Sequence, residues 1–193
     1  MNSNENDECF ECLQCGDVFE LESDIQEHVM DSSSHMTPLT AHCYVGGCWN
    51  ASHVEELKRA NIDCVISVAY EFSKPIETLR CTAVDFLHYA LYDSLYEFAF
   101  PKAIQAAHTI KLRTDKNERV LVHCAMGKSR SVMVALVYLV LQHKWSVKQS
   151  LEYVKEKRPV AQPNPNYMQQ LSILDVITTF GWQEWVLISA YLE

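Results

Sequence analysis

The sequence predicts an α/β fold, a mostly parallel central sheet flanked by helices, preceded by a small N-terminal module. Two observations lead to this prediction. Over residues 37–193, short apolar segments of strand length alternate with longer segments of helical periodicity. Such alternation needs crossover connections, which place helices on both faces of a parallel sheet. Residues 1–36 are instead polar and cysteine-rich, so we place a domain boundary after them.

The strands and helices follow one another in order along residues 37–193. Strands are predicted from short apolar runs at Cys43–Gly46, 64–69, 81–91 and 119–123, of which 64–69 is expected to be buried and 119–123 central. Helices are predicted from their periodicity at 53–60, 101–113, 129–142, 146–157 and 166–179. Ser52 and Ser146 are predicted N-caps, and Pro101 fits a first helical turn. Glu55, three residues after Ser52, would complete a capping box.

Charge is distributed unevenly between the two parts of the chain. Residues 1–36 hold ten of the 25 acidic residues and none of the 16 Lys and Arg residues, so they account for the net charge of −9. Such a segment argues against nucleic acid as a partner. The polar N-terminus and a longest apolar run of ten residues, 132–141, predict no presequence and no membrane span. We therefore expect a cytoplasmic or nuclear protein, whose cysteines serve thiol or metal chemistry.

One segment carries a pattern typical of nucleophilic chemistry on an anion. Residues 120–131 read Val-Leu-Val-His-Cys-Ala-Met-Gly-Lys-Ser-Arg-Ser and join a predicted strand to an apolar helix. A loop at that junction presents backbone N–H groups and a helix dipole to an anion, so Cys124 is expected to ionise readily. Gly127 permits the tight path, and the planar fork of Arg130 can grip two anion oxygens. Ser131 can donate a hydrogen bond to the thiolate.

The pattern His-Cys-x5-Arg-Ser resembles the signature of cysteine-dependent phosphatases, and most closely that of the atypical dual-specificity phosphatases. The similarity covers most of residues 40–180, including Tyr44-Val-Gly-Gly with Trp49-Asn-Ala and the proline-rich segment 158–171. It implies the cysteine-phosphatase fold. The resemblance implies that the phosphate is bound by Ala125, Met126, Gly127, Lys128, Ser129 and Arg130, and that the loop is supported by His123 and Asn164.

A phosphocysteine mechanism also needs a proton donor for the leaving oxygen. Asp85 lies within a predicted strand, where the sheet would fix its side chain. Asp93 follows that strand, in a loop that can reach over a substrate, and it matches the general-acid position that the resemblance implies. We therefore favour Asp93. The predicted catalytic residues are Cys124, Arg130, Asp93 and Ser131, and the reaction needs no cofactor.

The N-terminal module carries a second pattern, which resembles the two-Cys, two-His zinc finger. The predicted zinc ligands are Cys12, Cys15, His28 and His35, with Phe19 and Ile25 as a small apolar core. Six residues separate the histidines, more than the usual three to five, so 31–34 would have to loop outward. Cys9 is an alternative ligand, and an acidic disordered tail is the alternative to a metal site. The zinc would supply the folding energy that so small a core lacks.

A zinc finger of this composition would be a poor reader of DNA. Its predicted helix carries only acidic charges, at Glu20, Glu22, Asp24 and Glu27. No Lys or Arg is present in the module to contact phosphates. A protein contact or a structural role is therefore the better prediction for it.

The predicted function is hydrolysis of phosphotyrosine and of phosphoserine or phosphothreonine in proteins, with no membrane involved. Two alternatives remain open. One is a phosphate-binding module without turnover, and the other is a phosphatase for RNA 5′ ends, phosphoinositides or phosphoglycans. The presence of Cys124, Arg130 and Asp93 argues against the first. The single Lys128 between Cys124 and Arg130 argues against polyanionic lipids.

Two further features have open interpretations. The resemblance implies that another cysteine can form a reversible disulfide with Cys124, and Cys64 and Cys81 are the better candidates because they lie in or beside predicted strands. Cys43 and Cys48 are expected to be small core residues. The apolar segment 182–192 is either a helix packed on the domain or a partner surface.

Overall fold

The computed structural model describes residues 10–30, 34–75 and 83–179 of the chain. The predictions made for Cys9, Cys81, residues 31–33 and the segment 182–192 lie outside them. The strands are β1 Phe10–Glu11, β2 Val18–Phe19, β3 Thr37–Pro38, β4 Cys43–Gly46, β5 Cys64–Ser67, β6 Asp85–His88 and β7 Val120–His123. The helices are α1 Glu22–Met30, α2 Cys48–Ser52, α3 Val54–Arg59, α4 Phe100–Thr114, α5 Arg130–His143, α6 Val147–Lys157 and α7 Pro165–Thr179.

The main sheet has the strand order β3-β4-β7-β5-β6. Only β3 runs antiparallel to its neighbour, so the predicted mostly parallel sheet is confirmed. Gly46 of β4 and Ser67 of β5 both pair with His123 of β7. The carboxyl ends of these three strands therefore meet at one edge, which is where ligand sites form in sheets of this kind.

Alternate residues of the central strands enter two apolar clusters on opposite faces of the sheet. Val120 and Val122 of β7 belong to the larger cluster, which includes residues of α4, α5, α6 and α7. Leu121 belongs to the smaller cluster, together with Val65 of β5 and Leu57 of α3. Strands buried on both faces read as continuous apolar runs, which is why they were visible in the sequence.

Helix α5 is the central helix of the larger cluster. Its residues from Arg130 to Val140 are buried, as predicted for an apolar helix in the interior. The predicted N-cap of α6 is also confirmed, because Ser146 Oγ accepts a hydrogen bond from the Gln149 amide at 3.1 Å. Pro101 lies in the first turn of α4, as predicted.

The predicted N-cap of α3 is wrong. Ser52 is the last residue of the short helix α2, and its Oγ donates to the Trp49 carbonyl at 2.7 Å. His53 caps α3 instead, with its Nδ1 accepting from the Glu56 amide at 3.3 Å. Helix α2 was not predicted from the sequence. Because Ser52 is the last residue of this extra helical turn, it cannot cap α3, which begins at Val54.

The N-terminal module consists of an antiparallel β1–β2 hairpin followed by α1. It packs against α3, which lies in the part of the chain that forms the main sheet and its helices. Asp17 contacts His53 Nε2 at 2.9 Å, and Arg59 Nη1 donates to the carbonyls of Cys12 and Leu13 at 3.3 and 3.1 Å. Among the described residues, no helix is both long and apolar enough to cross a membrane.

Candidate active site and metal site

Cys124 is the first residue after β7, at the edge where the three strand ends meet. Its side chain is almost fully buried, and its Sγ lies 3.3 Å from Ser131 Oγ in the first turn of α5. The Ser131 hydroxyl also lies 3.5 Å from the Gly46 carbonyl. The sequence places the cysteine and the hydroxyl seven residues apart, and the strand–loop–helix turn brings their side chains together.

The loop between β7 and α5 requires glycine at position 127. Gly127 has a φ of +65°, a conformation that side-chain-bearing residues rarely adopt. A Cβ there would lie 2.6 Å from the carbonyl carbon of Gly46 and 2.5 Å from Nη2 of Arg158. The loop is thus fitted tightly between β4 and the segment after α6, while Met126 at its tip is 61% exposed.

The guanidinium of Arg130 is held by a carboxylate that the sequence analysis missed. Glu71 accepts from Nη1 at 2.6 Å and from Nη2 at 2.7 Å, and Nη1 also approaches the Leu91 carbonyl at 3.4 Å. Arg130 is buried, and within the described residues its Nε has no hydrogen-bond partner. The hydrogen bond from Arg130 lowers the pKa of Glu71. The pair therefore fixes the plane of the guanidinium, while the Nε–H is not used by any described residue.

Asp93 lies beside the loop, as predicted for the general acid. Its Oδ1 accepts from Ser129 Oγ at 2.8 Å and from Asn164 Nδ2 at 2.7 Å, and its Oδ2 lies 3.9 Å from Arg130 Nε. Asp85 is at the opposite end of β6, where it pairs with Arg113 at 2.6 Å. Of the two candidates only Asp93 lies beside the loop, whereas Asp85 is the first residue of β6 rather than a residue within the strand.

The two predicted loop supports make different contacts. Asn164 links the Asp93 loop, the loop after β7 and the start of α7. Besides the contact with Asp93, its backbone N–H donates to Ser129 Oγ at 3.2 Å and its Oδ1 accepts from the backbone N–H of Tyr167 at 2.9 Å. His123 is buried, and its Nδ1 lies 3.2 Å from the Cys124 carbonyl. Burial lowers the pKa of His123 to about 4, so its ring is neutral near pH 7 and adds no charge beside the thiol.

Arg158 is a second residue that the sequence analysis did not assign. It is fully buried, and its Nε donates to the Gly127 carbonyl at 2.8 Å. No local pattern indicated this role, since Arg158 follows an amphipathic helix whose other basic residues are exposed. Glu71 did have a signal, because it comes shortly after β5 at the same strand edge as the loop.

The predicted zinc ligands converge in the N-terminal module. One ligand atom from each of Cys12, Cys15, His28 and His35 lies within 4.8 Å of the others. Cys12 Sγ is 3.5 Å from His35 Nε2, and Cys15 Sγ is 3.2 Å from His28 Nε2. These separations are close to the edges of about 3.3–3.8 Å expected for a tetrahedral zinc site with such ligands. The residues therefore fit a structural zinc ion.

The two histidines of the cluster are placed by different parts of the chain. Only His28 lies on α1, in its last turn, and His35 comes after the helix rather than on it. On one continuous helix these two residues, seven positions apart, would share a face but lie about 10.5 Å apart along the axis, too far to ligate one zinc ion. His35 is instead placed by Glu56 of α3, whose Oε1 lies 3.7 Å from His35 Nδ1. Metal-binding histidines commonly face a carboxylate in this way.

Cys64, one of the two better candidates for a disulfide with Cys124, is too far from it for such a bond. Cys64 pairs with Val120, four residues before Cys124, so the two thiols are separated by about 13 Å along the strand direction. A disulfide cannot span that distance without backbone movement. Burial also raises the pKa of Cys64 to about 12, so its thiol is a poor nucleophile.

Fold and site together define the class of the protein. A buried cysteine between a parallel strand and a helix start, followed six residues later by an arginine, is the arrangement of a cysteine-dependent phosphatase. Residues 43–175 match the family described as dual specificity phosphatase, catalytic domain. The chain therefore belongs to the dual-specificity phosphatases. The matched range begins after the N-terminal module.

Individual relatives agree with this family. The chain is 33% identical over 156 residues to human Protein phosphatase Slingshot homolog 3, covering 81% of this chain and 23% of that protein. It is 30% identical over 135 residues to Drosophila melanogaster Protein phosphatase Slingshot, covering 70% and 12%. The chain thus spans less than a quarter of the length of these curated relatives.

Solved structures agree on the fold. The crystal structure of DUSP15 superimposes with a TM-score of 0.69 at 25% identity, covering 81% of this chain and 94% of that one. Human DUSP28 gives a TM-score of 0.68 at 23% identity, covering 75% and 95%, and this likeness concerns the fold alone.

Proposed function

We propose that the protein hydrolyses phosphotyrosine, phosphoserine and phosphothreonine in protein substrates through a phosphocysteine intermediate. One observation carries the proposal. The thiol of Cys124, the guanidinium of Arg130 and the carboxyl of Asp93 surround a single loop at the carboxyl edge of the sheet. A nucleophile, an oxyanion-binding group and a proton donor are the three parts that phosphomonoester hydrolysis requires.

The reaction proceeds in two displacements at phosphorus. The Cys124 thiolate forms the S–P bond as the P–O bond to the leaving group breaks, and Asp93 protonates the departing oxygen. Arg130 and the loop amides of residues 125–130 hold the phosphoryl oxygens. A water molecule then attacks phosphorus and gives its proton to Asp93. The S–P bond breaks, and Ser131, 3.3 Å from the sulfur, stabilises the returning thiolate.

Hydrolysis of an aryl phosphate under reducing conditions tests the catalytic assignment. Cys124→Ser should abolish turnover, since a hydroxyl at this position is a far weaker nucleophile. Cys48→Ser is the matched control, because Cys48 lies next to the loop, with its amide bonded to the Ala125 carbonyl at 2.9 Å, yet has no role in the mechanism. If the wild-type protein hydrolysed the aryl phosphate no faster than Cys124→Ser does, the result would contradict the proposal and favour a phosphate-binding module.

We favour protein substrates over polyanionic lipids because the phosphate loop carries only one basic residue besides Arg130, namely Lys128. The comparison of phosphotyrosyl and phosphoseryl peptides with phosphoinositide vesicles decides this point. A higher kcat/KM on the vesicles would replace the protein-phosphatase proposal with a lipid one.

We further propose that Cys12, Cys15, His28 and His35 hold one structural zinc ion, which takes no part in the reaction. Elemental analysis of purified protein should find one zinc per chain, and His28→Ala should lose it. Substoichiometric zinc in the wild type would contradict this proposal. The acidic charge of the module points to a basic protein surface as its partner rather than to nucleic acid.

A further inference from the structure

The metal-ligand cluster is joined to the phosphate loop through Arg158. Nη1 of this buried side chain donates to the carbonyl of His35 at 3.1 Å and to Thr37 Oγ1 at 3.0 Å. Its Nε donates to the Gly127 carbonyl at 2.8 Å, and Nη2 lies 3.4 Å from the Met126 carbonyl. One guanidinium therefore bonds both to a metal-ligand residue and to the loop that binds phosphate.

A second chain of buried contacts runs in parallel through Glu56 and Asn50. Glu56 Oε1 accepts from the Met36 amide at 2.7 Å, next to His35, and Glu56 Oε2 lies 3.3 Å from Asn50 Nδ2. Asn50 Oδ1 in turn accepts from the Gly47 amide at 2.9 Å. Gly47 packs on the loop, where a Cβ would lie 3.0 Å from a loop carbonyl. Glu56 and Asn50 are both at most 1% exposed.

These contacts suit the electrostatic needs of the loop. A loop that turns its amides toward an anion must direct its carbonyls elsewhere, and buried carbonyls without donors are costly. Arg158 supplies donors for two of them. Because Arg158 and Glu56 are buried, the loss of a hydrogen-bond partner by either would raise the free energy of the folded state. A shift of residues 34–37 would therefore disturb the loop.

We infer that the N-terminal metal module is a positioning element for the phosphate loop, so that zinc occupancy and oxyanion binding are coupled through Arg158 and the Glu56–Asn50 pair. This inference rests on the proposed phosphatase and zinc sites. Zinc fixes His35 in the cluster, and the carbonyl of His35 then fixes Arg158 beneath the loop. Coupling between sites is reciprocal, so a bound oxyanion must tighten zinc binding by the same factor.

Titration of the full chain with tungstate, by calorimetry, tests the coupling without reference to activity. The zinc-loaded protein should bind tungstate about tenfold more tightly than the chelator-treated protein, a factor within the usual range for coupled sites. Zinc affinity, measured by competition with a chromogenic chelator, should rise by the same factor when tungstate is saturating. His28→Ala, which removes a ligand without touching Arg158 or Glu56, should behave like the zinc-free wild type.

Variants of the connecting residues separate coupling from metal binding. Arg158→Lys keeps the charge but cannot reach all of its partners, so zinc-loaded Arg158→Lys should bind tungstate as weakly as zinc-free wild type. Thr37→Val removes the hydroxyl that accepts one hydrogen bond from Arg158 and serves if Arg158→Lys fails to fold, with a smaller loss of coupling expected. Lys148→Met, on the exposed side of α6, is the control and should keep full coupling.

The outcomes distinguish the inference from the proposals beneath it. A change in tungstate affinity of less than twofold between loaded and zinc-free protein overturns the inference alone, as does full coupling in both Arg158→Lys and Thr37→Val. Absence of zinc from the wild type overturns the metal site together with the inference. Failure of the zinc-loaded protein to bind tungstate overturns the phosphatase site.

Discussion

At the scale of single residues, the proposed phosphate-binding group is Arg130, and Glu71 is the residue that orients it. The two parallel hydrogen bonds of 2.6 and 2.7 Å leave the guanidinium little freedom to rotate. A guanidinium held in place before substrate arrives loses less entropy on binding phosphate than a free one. Glu71 is thus a positioning residue, which acts on the substrate only through Arg130.

Replacing Glu71 with Gln should weaken substrate binding while leaving the nucleophile intact. An amide accepts one of the two hydrogen bonds, so we expect KM for an aryl phosphate to rise roughly tenfold, the usual scale for a residue that orients a ligating group. The change in kcat should be smaller. Glu152→Gln on α6 is the control. A fall in kcat at unchanged KM would contradict the positioning role.

The same pair predicts a pH dependence of stability. Arg130 lowers the pKa of Glu71, so the folded state holds its proton less tightly than the unfolded state does. The ion pair's contribution to the free energy of unfolding is therefore complete above the ordinary glutamate pKa of about 4.3. It disappears as pH falls through the lower pKa of Glu71 in the folded state. The Tm of wild type should exceed that of Glu71→Gln near pH 7 and converge with it in acid. A Tm difference that persisted at the lowest pH would point to a packing effect.

At the scale of elements, Asn164 joins the start of α7 to the general-acid loop. Its Oδ1 accepts from the Tyr167 amide at 2.9 Å as a helix cap, while its Nδ2 donates to Asp93 at 2.7 Å. One side chain therefore both caps a helix and contacts the proposed general acid. The two can be separated because they use different atoms of the amide.

Asn164→Ser keeps a cap acceptor and removes the amide donor without adding a charge beside Asp93, whereas Asn164→Ala removes both. Asn164→Ala should lose about 1 kcal/mol of stability, the usual cost of a lost N-cap, and Asn164→Ser much less. Both should slow hydrolysis of alkyl phosphates more than of aryl phosphates, as Asp93→Ala should, since poor leaving groups depend most on the acid. Equal slowing of both substrate classes would remove Asp93 from the acid role.

Elements differ in how far their sequence could predict them. The phosphate loop was predictable because its chemistry lies within residues 120–131, between a strand and a helix with clear periodicity. Arg158 was not predictable, and Glu71 was indicated only by its place after β5, because their partners lie 31 or more and 59 residues away in the chain, respectively. Such contacts depend on the order of the strands in the sheet, which no local pattern encodes. The spacing of the zinc ligands was local, but the position of His35 depends on α3.

At the scale of the whole molecule, α3 is the surface on which the N-terminal module docks. Its docking residues are His53, Glu56 and Arg59, spaced by three so that they share one face of the helix. His53 contacts Asp17 in the hairpin, and Glu56 contacts His35 of the metal-ligand cluster. Arg59 donates to the carbonyls of Cys12 and Leu13. The module is therefore held to the phosphatase fold by polar contacts, since all four proposed zinc ligands lie within the module itself.

Arg59 provides the test of this docking, because its Nη1 bonds to the carbonyls of Cys12 and Leu13 and its Nη2 to Glu11 at 2.5 Å. Arg59→Ala should release zinc to a chelator roughly fivefold faster, the scale of a partly exposed hydrogen-bonded contact. Lys58→Ala is the matched control, since Lys58 pairs with Glu55 of the same helix. With zinc in excess, Arg59→Ala should hydrolyse substrate like wild type, because its effect acts through metal retention. Equal zinc release from the two variants would show that α3 holds the module without Arg59.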